Sequence, residues 1–395
     1  MWGCAGLPDT FVPCREDIER WRDGLRDGTH LAPRYIQRSS FAINGEGGTP
    51  AGAPEFFMTR NADDARTLVA HHATDGVDLL KTYTDLSVAA YDALALEAQK
   101  QGLFLAGHLP VRVPLETALA AGQRSIEHPR LFLFECFPGA AGFRALPSPM
   151  ATYSRSPEMQ ARLVDEHDPE RCARLMTAMA ASDTWWTPTL QVLRMSALAG
   201  DRAFRENPNL RYIPYIIRAA LWKPDIDTWA EKAAADESGR NLQGELYRLA
   251  LDDVGQAHAA GVRIVAGTDA GDTHVFPGFA IHDELSELVV AGLTPAEALR
   301  SATIDAARFT GTARDYGSIE VGKAGDMILL DANPLADIRN SAKIAGLFFN
   351  GQYLDRAALD ELLAFARQQA NSVRTNVQLL WAGLMSPVVR ANAAD

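Results

Sequence analysis

From about Pro33 to Gly271 the chain alternates short apolar runs with segments in which apolar residues recur at helical spacing. That alternation predicts an α/β fold built on a parallel sheet. Six runs read as strands: 34–43, 76–83, 103–108, 124–128, 185–190 and 263–269. Helices fall between them at 62–74, 87–101, 114–121 and 245–260, the last running into Gly261, a natural helix stop. Asp63 and Ser87 are candidate N-caps. Residues 132–183 and 191–244 are long connections with helices of their own, the size expected of lids or pocket walls. The second carries Tyr212, Tyr215, Trp222 and Trp229, which either pack a cap onto the sheet or line an apolar substrate wall.

Beyond the sixth run, Thr294 and Pro295 open another helix. The pattern then shifts to β-runs broken by glycine and an Asn350-Gly351 turn, a small β region over about 317–354. A helix over 356–371 and a tail follow. The predicted organisation is thus a main unit over 1–315, β return strands over 316–355, and a C-terminal helix and tail over 356–395.

Four of the six runs finish on residues with chemistry: Lys81, His108, His128 and Asp269. In a parallel β/α barrel the carboxyl ends of the strands ring the active site, so these side chains converge although far apart in sequence. Two imidazoles and a carboxylate suit Zn²⁺, with Mn²⁺ or Co²⁺ as alternatives. Such a cation would account for a carboxylate ending the apolar run R-I-V-A-G-T-D-A-G, since a buried anion is costly unless paired. Taken singly, each residue has a plain structural role: a hydrogen-bonded histidine, an ion-paired lysine, an aspartate capping a turn. The ammonium of Lys81 has no lone pair. Its neutral amine can react with CO₂ to give a carbamate, an anionic oxygen ligand.

Composition narrows the partners. The chain is 47% hydrophobic and 22% charged over 395 residues, with a formal net charge of -12. An acidic protein is a poor match for nucleic acid or an anionic membrane surface. A small-molecule substrate is expected, and homo-oligomerisation is left open. The four cysteines, Cys4, Cys14, Cys136 and Cys172, are scattered without a C-x-x-C pair, so neither a disulfide framework nor a cysteine metal site is expected. The first residues lack a signal-peptide pattern, and the apolar run around Trp381 is shorter than the roughly 20 residues that span a bilayer. A cytoplasmic location is the default expectation, with any signal peptide lying upstream of Met1.

The strand-end motifs resemble those of the amidohydrolase superfamily, in particular its prolidase and imidazolonepropionase-like group. G-V-D-L-L-K-T-Y-T is similar to the fourth barrel strand with its carboxylatable lysine. L-A-G-H-L-P and S-I-E-H-P resemble the fifth- and sixth-strand histidines, T-P-T-L the seventh strand, and A-G-T-D-A-G the eighth-strand aspartate. G-S-I-E-V-G-K-A-G-D-M-I-L-L-D resembles the return into a flanking β-sandwich. The likeness spans about residues 30–355. It implies a (β/α)₈ TIM-type barrel and hydrolysis of the C–N bond of an amide, cyclic amide or dipeptide, with Lys81, His108, His128 and Asp269 at the metal and Asp269 as general base. The family's His-x-His of the first strand has no counterpart here. The expectation is therefore an N-terminally incomplete barrel with ligands for about one metal. Two alternatives accompany it: an impaired fragment, and a hydrolase of esters, lactones or phosphotriesters.

Overall fold

The computed structural model describes residues 15–34, 36–45, 58–234 and 239–385. Cys4, Cys14, residue 35 of the first predicted strand and the tail beyond 385 lie outside the described residues.

Six parallel strands form one sheet in sequence order: β1 (Ser39–Ile43), β2 (Leu79–Thr82), β3 (Phe104–Gly107), β4 (Ser125–Glu127), β5 (Trp185–Thr187) and β6 (Arg263–Ile264). Each falls inside a predicted run but is shorter, because the polar ends leave the ladder to form loops. Consecutive parallel neighbours require helical crossovers, and the helices Ala62–Asp75 and Val88–Lys100 supply the first two. Ser87 caps the second by accepting from the Ala90 amide. The first is capped by Asn61, which accepts from the amides of Asp63 and Asp64, not by Asp63 itself. Asparagine one residue before the first helical turn meets the geometric need better than an aspartate within it.

Among the described residues the sheet is open: β1 pairs only with β2, and β6 only with β5. The structure thus provides six strands of the expected barrel and no closure between its outer strands. The later β region is likewise simpler than a sandwich. It is one antiparallel sheet of β7 (Met327–Leu330), β8 (Ile344–Phe349) and β9 (Gln352–Asp355). Asn350 and Gly351, with φ of 50° and 76°, make the tight turn between β8 and β9. The segment 317–326, expected as strand, is irregular, consistent with its glycines.

The core lies where helices cover the sheet. Leu80, Tyr91, Leu94, Leu105, Ile126 and Trp186 are almost wholly buried. In β2 the buried Leu80 and Thr82 alternate with Lys81, which faces the other way, as strand periodicity demands. A second departure concerns the cysteines. Cys136 and Cys172, 36 residues apart, form a disulfide with Cα atoms 4.9 Å apart. The long connection 132–183 folds back to bring them together, which spacing along the chain cannot reveal. No helix among the described residues is long and apolar enough to cross a membrane.

Candidate active site

The carboxyl ends of β2, β3 and β4 meet at one place. His108 follows β3 directly, and its backbone N–H donates to the Thr82 carbonyl at 3.1 Å. His128 follows β4, with its N–H donating to the Thr187 carbonyl at 2.9 Å and its own carbonyl accepting from the Trp186 indole at 3.0 Å. The two imidazoles face each other with Nε2 atoms 2.7 Å apart. Their other nitrogens are each held by a threonine hydroxyl: His108 Nδ1 by Thr84 and His128 Nδ1 by Thr189, both at 2.9 Å. Burial, reinforced by the other imidazole, Lys81 and Arg130, holds His108 well below the usual imidazole pKa. Burial with Arg130 and Lys81 brings His128 down to about 3. Both rings are neutral at pH 7, as a metal ligand must be.

Glycine makes this meeting possible. Gly107 has φ +124°, and a Cβ there would lie 2.5 Å from the Thr82 carbonyl oxygen and 3.1 Å from Lys81 Cδ. Gly267, two residues before Asp269, is equally tight: a Cβ would sit 2.4 Å from Thr187 Cγ2. Buried Gln123 ties the strand ends together, donating to the Ser125, Gly107 and His108 carbonyls and accepting from Tyr91.

Lys81 forms an ion pair with Glu127. Glu127, together with His108 and His128, offers ligand atoms all within 4.8 Å of one another. Adjacent strand residues ordinarily point to opposite faces, which would turn Glu127 away from His128. The chain breaks that alternation at His128, whose φ is +75°, so both side chains reach the same space. Asp269 lies apart from this group. It sits on the irregular segment after β6 at φ +54°, half exposed, with Oδ2 3.9 Å from His128 Nδ1. The structure therefore gathers Lys81, Glu127, His108 and His128, with Asp269 on the far side of the His128 ring.

Beside the histidines opens a small cleft lined among others by Thr84, Glu127, Arg130 and Met150. Arg130, which begins the helix Arg130–Glu135, faces it and has no carboxylate paired with it among the described residues. Thr84, Thr189, Glu127 and Arg130 were not singled out in the sequence. Only Glu127 and Arg130, flanking His128 in S-I-E-H-P-R, carried a local signal. Of the aromatic residues in the second long connection, Trp222 is buried against Ile213 and Phe276, and Tyr212 stacks on Phe279 at 5.2 Å. Tyr215 is 64% exposed.

The donor set fits a divalent cation. Two imidazole nitrogens aimed at one point and an adjacent carboxylate form an N,N,O set, and each ring is oriented by a hydrogen bond from its other nitrogen. On a tetrahedral cation the two Nε2 atoms would stand about 3.3 Å apart, so the pair needs to open by only about 0.6 Å.

A parallel sheet with titratable side chains gathered at its carboxyl ends is a layout shared with α/β enzymes, and known proteins offer a comparison. Residues 244–354 match the amidohydrolase family model. No curated protein matches the chain significantly. Among solved structures, a bottromycin amidohydrolase aligns with a TM-score of 0.66 at 23% identity, over 88% of this chain and 71% of that one. An Xaa-Pro dipeptidase with bound methionine gives 0.55 at 20%, over 86% and 72%. A protein from Bifidobacterium longum described as a prolidase gives 0.54 at 25%, over 90% and 76%. The amidohydrolase match thus rests on residues 244–354, and what the solved structures share with this chain is its fold. The family match contains Asp269 but none of the residues on β2, β3 and β4.

Proposed function

We propose that the chain hydrolyses the C–N bond of a small amide, cyclic amide or dipeptide at the His108–His128 site. This reading takes the six-strand sheet as the greater part of a (β/α)₈ barrel. The observation that carries it is the 2.7 Å approach of two neutral imidazole nitrogens whose other nitrogens are already engaged. His108 and His128 would hold a divalent metal, Zn²⁺ or else Mn²⁺ or Co²⁺. The anionic oxygen comes from a carbamate on Lys81 or from Glu127. When bound, such a cation lowers the pKa of a water to near 7 and polarises the scissile carbonyl.

The remaining work belongs to the chain. Thr84 and Thr189 fix the ring orientations. Asp269, half exposed and beside the His128 ring, accepts the proton of the attacking water on a carboxylate oxygen and passes it to the leaving nitrogen. The unpaired guanidinium of Arg130 in the cleft favours substrates carrying a carboxylate, which a dipeptide supplies. Support for amide chemistry also comes from the relatives, one named as a dipeptidase and another as phenylurea hydrolase B.

Asp269→Asn tests the assignment. The amide keeps the shape but cannot take the proton, so turnover of a dipeptide or N-acyl substrate should fall by about 10²–10⁴ while metal content is retained. Near-normal turnover would remove Asp269 from the reaction. A panel that adds esters, lactones and phosphotriesters decides the bond cleaved, and the proposal fails if only those are turned over.

A further inference from the structure

A second group of ligand-type side chains lies away from the cleft, among helices. Cys136 directly follows the helix Arg130–Glu135; His167 precedes, and Cys172 lies within, the helix Pro169–Ala180; Asp253 lies within the helix Leu242–Ala259. Cys136, Cys172 and Asp253 are fully buried, and the His167 side chain is 7% exposed. One ligand atom from each lies within 4.8 Å of all the others.

The separations have a recognisable shape. Cys172 Sγ is 3.4 Å from His167 Nε2 and 3.8 Å from Asp253 Oδ1, and His167 Nε2 is 3.2 Å from Asp253 Oδ1. Zinc–ligand distances of about 2.0–2.3 Å at tetrahedral angles give edges of about 3.3–3.8 Å. Three edges of such a tetrahedron are therefore already present to within about 0.2 Å. The fourth corner is the other sulfur, now bonded to its partner. Asp253 carries a further signal. Its Oδ2 is buried without a hydrogen-bond partner, and with the disulfide intact His167 is the one basic group in contact with this enclosed carboxyl among the described residues. An enclosed carboxyl half-satisfied in this way is expensive.

We propose that Cys136, Cys172, His167 and Asp253 form a closed, structural zinc site in the reduced protein, alternative to the Cys136–Cys172 disulfide. Two thiolates, an imidazole and a carboxylate complete four-coordination and leave no position for substrate. The metal joins the helix that carries Arg130, and so one wall of the cleft, to the two helices behind it. The two states interconvert in balanced steps. A phosphine reductant takes up the oxygen of a water molecule as it becomes the oxide. The disulfide gains two electrons and two protons and becomes two thiols. Zn²⁺ binding then releases those two protons, because the ligand is the thiolate.

The test uses the full chain with Cys4→Ser and Cys14→Ser, so that the buried pair is the sole source of thiolate. After phosphine reduction without oxygen, Co²⁺ should give a thiolate-to-cobalt charge-transfer band with the intensity of one thiolate-bound Co²⁺ per chain, whatever further Co²⁺ the cleft holds. Zn²⁺ should bleach that band. A metal at the cleft, with nitrogen and oxygen ligands, gives no thiolate band, so success or failure there does not bear on this result. Cys136→Ser should abolish the band. Should that variant not fold, His167→Gln in a chain whose circular dichroism is unchanged should weaken Co²⁺ binding at least tenfold. A pair that stays oxidised in the folded protein overturns the proposal. So do reduced thiols that react with a thiol reagent as fast with zinc as without it.

Discussion

Two imidazole-centred clusters sit in this molecule, and they are built on opposite plans. The first gathers Lys81, Glu127, His108 and His128 at the ends of three adjacent strands and opens onto a cleft. The second draws Cys136, His167, Cys172 and Asp253 from helical segments, three of them buried and the His167 side chain 7% exposed. Open coordination suits chemistry, because a substrate or water needs a position. Closure suits a brace. The orienting groups differ in the same way: at the strand ends each ring is held by a threonine hydroxyl, whereas the closed cluster consists of ligand-type atoms touching one another.

The comparison breaks most sharply at the proposed ligands. His108→Ala removes one of the two convergent nitrogens and should lose both metal and hydrolysis. The far-UV spectrum and any thiolate–metal signal should be unchanged, since the closed cluster shares no residue with the open one. Full activity in that variant would dismiss the strand-end site altogether.

The next effect is on stability against pH, measured on chelator-treated protein. His128 has a folded pKa of about 3 against about 6.5 unfolded. Between those values the unfolded chain binds the extra proton, so stability rises with pH and is lost on acidification from about 6.5 towards 3. His108 acts in the same direction, its pKa also being held low by burial. Asp253 has the opposite sign. Burial raises its pKa, so the folded state keeps the proton and stability falls as pH rises through the usual carboxylate range and above. Denaturant midpoints that stay level from pH 6.5 to 4 would show that the histidines are not held neutral. Arg130→Met sharpens the open side further. Losing a charge-assisted hydrogen bond of about 1.5–3 kcal/mol should raise KM for carboxylate-bearing substrates by about 10–150-fold and leave neutral amides little changed. Equal losses on both classes would exclude Arg130 from recognising the carboxylate.

How much of each cluster could be read in the sequence follows from its construction. All six strands were legible, because buried parallel strands are continuous apolar runs, and a polar residue that ends such a run stands out. His108 and His128 were singled out in that way, and the fold brings them together. Glu127 was hidden by the positive φ of His128, which defeats the alternation rule. Thr84 and Thr189 look like ordinary loop residues, and only the fold brings their hydroxyls to the rings. The closed cluster was wholly illegible. Its four residues come from three helical segments separated by tens of residues, and their approach depends on how the long connection 132–183 folds back. Sheet closure was equally out of reach, since pairing between the first and last strands leaves no local pattern.

The finest expected effect concerns that hidden layer. Thr189→Val keeps the volume of the side chain but removes the hydroxyl 2.9 Å from His128 Nδ1. Thr189 itself adopts φ +47°, a conformation costly for a β-branched residue and retained here to place its hydroxyl. Without it the buried Nδ1 has no acceptor for its proton, and the tautomer that frees Nε2 for a metal is no longer favoured. Groups that orient a metal-ligating histidine typically contribute 10–100-fold to metal affinity. Thr189→Val should therefore weaken metal binding by about that factor, with kcat near normal once the metal is saturating. Thr189→Ser, which keeps the hydroxyl, should restore the affinity. A merely structural threonine predicts the reverse: serine and valine variants alike in metal affinity, differing only in thermal stability. That outcome would leave His128 unoriented and reduce the open cluster to two buried histidines in contact.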